Sequence, residues 1–207
     1  MPRCSRDRRG GVGVLQLGVA ILAFVTPARA VIYEVDRTDD TAAATLCTPD
    51  PNDCSLRGAF IAANARAGAD TIRLPAGGYW LTATGTDEDA AVTGDLDAVD
   101  TSGELTLTGA GADTTIIDGN HSDRVLHVFA GVAAKVSGVT LQSGGSGDGG
   151  GILNLGEATL SNITLTRNVA TDGGGILNLG TATFFNSTVS ENSAISAAES
   201  LWLVLAR

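Results

Sequence analysis

The sequence predicts an all-β chain: a right-handed, single-stranded parallel β-helix, a solenoid of about 24 residues per coil with a short helical cap at its N-terminal end. Two observations predict it. Residues 149–172 and 173–196 are copies of one unit, Gly-Gly-Gly-Ile-Leu-Asn-Leu-Gly followed by a tail rich in Thr, Ser and Asn, and 14 of 24 positions are identical, which makes the period structural. The unit is filled with Val, Ile, Leu, Thr, Asn and Gly, residues that suit strands and tight turns rather than helices. A single coil would bury only about four large apolar side chains, too few to offset the ordering of its backbone, so it must share its core with the coils above and below.

The elements follow in order. Arg3, Arg6, Arg8 and Arg9 precede an uncharged apolar run from Val12 to Val25, and Ala28-Arg29-Ala30 supplies small residues at cleavage positions. Residues 1–30 read as a secretory signal with Val31 as the mature N-terminus; the run is too short for a membrane-spanning helix. Residues 31–69 form an N-terminal unit of a first strand (Tyr33 to Asp36), a polar loop and one helix. Ser55 caps that helix, Leu56, Ala59, Phe60 and Ala63 line one face, and Gly68 ends it. A one-sided helix here would cover the open end of the first coil. Cys47 and Cys54 are the two cysteines left after the signal, and in an oxidising compartment they pair as one disulfide.

Residues 70–196 carry the solenoid, with strands expected at Thr71 to Leu74, Tyr79 to Thr82, Glu104 to Thr108 and Thr114 to Asp118. An acidic insertion at 85–100 interrupts it. From Val125 the repeat can be followed from starts at 125, 149 and 173, the first copy being degenerate. Ile152, Leu160, Ile163 and Leu165 are expected to point inward, with Ile176, Phe184, Ser187 and Val189 beneath them. Stacked coils place Asn154 on Asn178, Asn162 on Asn186 and Asn168 on Asn192 as amide ladders. After Ala194 the repeat is lost. Residues 197–207 read as a small amphipathic cap or, the preferred reading, as the truncated or frame-shifted end of a longer protein.

Cys54-Ser55-Leu56-Arg57-Gly58-Ala59-Phe60, with Ala63-Asn64, resembles the CSLREA motif that opens a family of secreted bacterial proteins. Ile72 to Gly77 and Gly94-Asp95-Leu96 are similar to the same family, and the Gly-Gly-Gly-Ile units are similar to coils of right-handed parallel β-helix surface proteins, including polymorphic outer-membrane protein repeats. The resemblance covers most of residues 32–196 and departs from the motif at Gly58, where the family has Glu, and at Phe60, where it has Ile. It implies a β-helix at the bacterial surface or outside the cell and transfers no catalytic set.

A chain starting at Val31 carries 8 basic and 22 acidic side chains, a net charge of −14, which excludes nucleic acid and anionic lipid as partners. No transmembrane helix is expected in it. Among the acidic residues of the insertion, Asp87, Glu88, Asp89, Asp95 and Asp97 are the candidate ligands for calcium, although their spacing matches no EF-hand or RTX loop; no other cofactor is expected. A solvated acidic loop is the competing reading. Asp148 and Asp172 precede successive glycine triplets and read first as turn formers. His127, set in frame with Gly151 and Gly175, is expected at an exposed turn without a partner, and Arg167 on an outer face. Tyr79 and Trp80 are expected to pack beneath the insertion.

These features point to an exported, non-catalytic module for adhesion or ligand binding. Polysaccharide and host or neighbouring proteins are the candidate partners. The competing readings are a polysaccharide lyase or glycoside hydrolase on the same scaffold, which two acids with an Arg or Lys in one groove would favour, and an inactive fragment of a larger surface protein.

Overall fold

The computed structural model describes residues 29–86 and 88–195, together with the backbone of 204–205. The chain winds as a parallel β-helix, every strand pairing with its counterpart one coil away. The first face stacks Val31–Glu34, Asp70–Leu74, Glu104–Gly109, Ala133–Ser137, Glu157–Ser161, Thr181–Phe185 and Val204–Leu205. The second stacks Gly77–Trp80, Thr115–Asp118, Thr140–Gln142, Thr164–Thr166 and Thr188–Ser190, and the third Leu96–Ala98, Leu126–Val128, Ile152–Asn154 and Ile176–Asn178. A short fourth face holds Gly145–Asp148, Val169–Asp172 and Ser193–Ala194.

Alternation along each strand sends one set of side chains into the lumen. On the first face Leu107, Val136, Leu160 and Phe184 form one inward column, and Ile117, Leu141 and Leu165 form another on the second. Ile152, Leu160, Ile163 and Leu165 are all buried as expected, and so are Ile176 and Phe184. Val189 departs from expectation at 53% exposed: its strand pairs with Thr164–Thr166 on one side, and no described strand covers the other.

The coils tighten along the chain. Ile72 lies 35 residues from its partner Leu107, Leu107 lies 29 from Val136, and Val136 lies 24 from Leu160. The excess in the first of these is the acidic insertion, but the insertion is shorter than the sequence suggests, because Leu96–Ala98 is a fully buried strand of the third face. The 24-residue frame also slips on that face. Leu126 pairs with Ile152 and Val128 with Asn154, an offset of 26, because residues 129–132 bridge a gap that Leu155-Gly156 spans one coil later. The frame with starts at 125 and 149, which sets Val128 opposite Ile152, is therefore corrected by two residues on this face.

The helix Leu56–Asn64 packs against Asp70–Leu74 and Leu96–Ala98 and covers the end of the solenoid. Its Ser55 cap accepts a hydrogen bond from Gly58 N at 2.9 Å, and Leu56, Ala59, Phe60 and Ala63 are buried. The helix stops at Ala65, three residues before Gly68, whose φ of 125° belongs to the following turn. Asn64 closes the junction: its side chain donates to Asp97 O at 2.7 Å and accepts from Val99 N at 3.1 Å. Cys47 and Cys54 form the expected disulfide. Among the described residues no helix is long and apolar enough to cross a membrane. Residues 1–28 of the signal segment 1–30 and most of the tail lie outside the described residues; within the tail, the Val204–Leu205 backbone pairs with Thr183 and Phe184.

Candidate functional site

The three amide ladders form. Asn154 Nδ2 donates to Asn178 Oδ1 at 2.6 Å, Asn186 Nδ2 to Asn162 Oδ1 at 2.6 Å and Asn168 Nδ2 to Asn192 Oδ1 at 3.0 Å. They are structural: Asn168 also accepts from Gly144 N and donates to Leu141 O, satisfying a buried turn, and Asn162 and Asn186 hold left-handed corners at φ 53° and 47°. Asp148 and Asp172 stack in register, each followed by a glycine at φ 65° or 66°, as turn formers.

Chemistry concentrates where the insertion meets the third face. Asp95 and Asp97 stand two residues apart on the strand and its approach, so both side chains leave the chain on the same side. They are 2% and 0% exposed rather than solvated. Asp97 Oδ2 accepts from Ala91 N at 2.9 Å, and Oδ1 lies 3.6 Å from His127 Nδ1. His127 is 7% exposed, opposite Leu153 and stacked on Phe129 with ring centres 3.8 Å apart. This corrects the expectation of a histidine at an exposed turn: the two-residue slip of register places His127 on the strand, beside Asp97. Asp95 Oδ2 lies 3.3 Å from Arg124 Nη1, and Arg124 Nη2 lies 3.6 Å from Asp123 Oδ1 and 3.2 Å from Ser146 Oγ. Burial and the neighbouring Asp97 push the Asp95 carboxyl up to about 8, a rise that Arg124 opposes and Asp123 reinforces.

The expected calcium ligands do not converge as one set. Glu88 turns inward on its own loop, accepting from Ala90, Val92 and Thr93 N at 2.6 to 2.8 Å. Asp95 faces Arg124, and Asp87 lies outside the described residues. Asp89 and Asp97 do come together, with His127 as the third member: one ligand atom from each lies within 4.8 Å of the others.

Beside this cluster opens a cleft of about 360 Å³, walled by Ser122, Asp123 and Arg124 from one coil and Ser146, Gly147 and Asp148 from the next. The insertion adds Thr86 to its lining and packs against Asp123. Gly94, at φ 63°, passes so close that a Cβ there would lie 2.8 Å from Asp123 Oδ2 and 2.5 Å from Gly85 O. Arg57, 0% exposed, anchors the same segment: it donates to Asp40 at 2.6 and 3.0 Å, to Gly94 O at 2.7 Å, Ala91 O at 3.0 Å and Asp95 O at 3.1 Å. Trp80, expected beneath the insertion, is 54% exposed, whereas Tyr79 is buried with its hydroxyl donating to Pro75 O at 3.0 Å. Trp80 begins an outward column in register with Asp118 and Gln142, which are joined at 2.7 Å, and the exposed Arg167 donates to Gln142 Oε1 at 3.1 Å.

Asp123, Arg124 and His127 escaped the sequence reading as site residues because their neighbours lie about 30 residues away in a coil of irregular length. The one legible signal was Asp95 and Asp97 at strand spacing. No protein-family model matches this chain, and comparisons with curated proteins and with solved structures find no match.

Proposed function

We propose that this chain is an exported surface or extracellular β-helix module that binds neutral polysaccharide without cleaving it. The observation that carries the reading is the open polar cleft between Ser122–Arg124 and Ser146–Asp148. Hydroxyl, carboxylate and guanidinium groups converge there on backbone held rigid by two coils, which suits the many hydroxyls of a sugar. The exposed indole of Trp80 on the neighbouring face offers a flat apolar surface for a sugar ring. Two acids, Asp123 and Asp148, to one Arg124, on a chain of strongly negative charge, favour a neutral glycan over an acidic one. The family resemblance at residues 54–64, the leader-like residues 1–30 and the disulfide support export.

Glycan cleavage is the second reading, and a specific observation favours it: Asp123, Asp148 and Arg124 line one groove. Binding is preferred because Asp123 and Arg124 are committed to structure. Asp123 Oδ1 accepts from Arg124 N at 2.8 Å, and Arg124 is divided among Asp95, Asp123 and Ser146. Titration against a panel of soluble neutral and acidic polysaccharides tests both readings. The expected result is saturable binding of a neutral glycan, weakened by Asp148→Asn and by Trp80→Ala, with no new reducing or unsaturated ends. Release of product would overturn the non-catalytic reading, and absence of binding would overturn the glycan.

A further inference from the structure

We infer that Asp89, Asp97 and His127 form a site for a divalent transition-metal ion of the zinc type, which clamps the acidic insertion to the solenoid wall. The inference is independent of what the cleft binds. Asp97 and His127 are direct partners on adjacent strands of the third face, so the solenoid itself sets them side by side; Asp89 reaches them from the insertion.

The atoms that meet there lack partners. Asp97 Oδ1 and both ring nitrogens of His127 are buried without a hydrogen bond, although the other oxygen of Asp97 is satisfied by Ala91 N. Buried polar atoms are rarely left so, and here the orphans face one another. The 3.6 Å between His127 Nδ1 and Asp97 Oδ1 is too long for a hydrogen bond. It is close to the separation of two ligands on one ion: atoms about 2.0–2.1 Å from a tetrahedral centre lie about 3.3–3.4 Å apart, a closure of a few tenths of an ångström. Phe129, stacked on the imidazole, holds the ring in place. Asp89 is exposed, so the ion would keep one side open to water.

The donor set selects the ion. Calcium takes six to eight oxygens, and magnesium an octahedron of oxygens with several waters. One imidazole and two carboxylates are instead a set for zinc or its neighbours, with water completing four-coordination. The carboxyls of Asp89 and Asp97 meet at this position and no cationic side chain is paired with either of them among the described residues, so the local field attracts a cation.

The test uses the chain free of added histidines and stripped of metal by chelation, titrated with zinc, manganese and calcium by calorimetry and by thermal unfolding. Zinc is expected to bind one to one and, at a hundredfold excess over its dissociation constant, to raise the melting temperature by about 5 °C or more. Asp89→Asn, on an exposed residue, should weaken zinc at least tenfold while leaving the metal-free melting temperature unchanged; His127→Gln should abolish binding. An absent zinc response, an equal response in Asp89→Asn, or calcium matching zinc would each overturn the inference.

Discussion

Replacing Arg57 with methionine should destabilise the cap and loosen the acidic insertion together. The guanidinium is fully buried and all its donors are used: Asp40 takes two hydrogen bonds, and the carbonyls of Ala91, Gly94 and Asp95 take three. Methionine fills much of the volume but leaves the Asp40 carboxylate, whose side chain is 4% exposed, with only Thr82 and Ala83 N at 2.7 and 2.8 Å. Removing one partner of a buried, hydrogen-bonded pair costs about 3–5 kcal/mol. At about 2–4 °C per kcal/mol for a chain of this size, the melting temperature should fall by about 6–20 °C. Circular dichroism melts of Arg57→Met, Asp40→Asn and the double variant measure it. The double variant should be less damaged than the sum of the singles by about 1–3 kcal/mol, because each single strands the other group. A loss under about 2 °C for Arg57→Met, or strict additivity, would refute the account of this residue as the pin between cap and insertion.

Three further outcomes are expected. Reducing the Cys47–Cys54 bond, which closes a loop of sequence separation 7, should cost about 2–2.5 kcal/mol, seen as a melt shifted down by about 4–10 °C in reductant. Gly58→Ala should be poorly tolerated even at a helical position that favours alanine, because its Cβ would lie 1.9 Å from Ala44 O; a melt at or above that of the parent would contradict the packing. Val31 N donates to Asp70 Oδ1 at 2.9 Å while Asp70 Oδ2 is buried without a partner, so a chain made to begin at Val31 places an ammonium on that carboxylate. It should melt about 1–4 °C above a version extended by residues 29–30, from about 0.5–1 kcal/mol for adding a positive charge to a contact that already exists, and Asp70→Asn should remove most of that gap.

The parts legible in sequence were those that a short period encodes. Gly149 to Gly151 and Gly173 to Gly175 announce equal coils, and equal coils oblige Asn154, Asn162 and Asn168 to meet their counterparts. The helix face was legible because Leu56, Ala59, Phe60 and Ala63 recur at helical spacing. The site was less so. Its residues meet through coils of 35, 29 and 24 residues, and no local pattern reports where an insertion ends and a strand resumes. Leu96-Asp97-Ala98 looked like part of an acidic loop because its central residue is a carboxylate; it is a wall strand whose outward position happens to hold that charge against His127. The same uncertainty of two residues moved His127 from a turn to a buried position. Arg57 was read as part of a motif, and only the fold shows why arginine is needed: no other side chain presents five donors in a fixed fork.

The stacking of equal positions is tested most directly by engineered cysteine pairs. Thr159 and Thr183 are Cα partners on adjacent coils and both are accessible at the surface, whereas Glu157 and Phe185 lie four residues out of register on the same two strands. Under mild oxidation the Thr159→Cys/Thr183→Cys chain should gain a second intramolecular disulfide, since in-register neighbours about 4.8 Å apart fall in the bonding range. The Glu157→Cys/Phe185→Cys chain should not. Bond formation in the second pair, or its failure in the first, would contradict the solenoid.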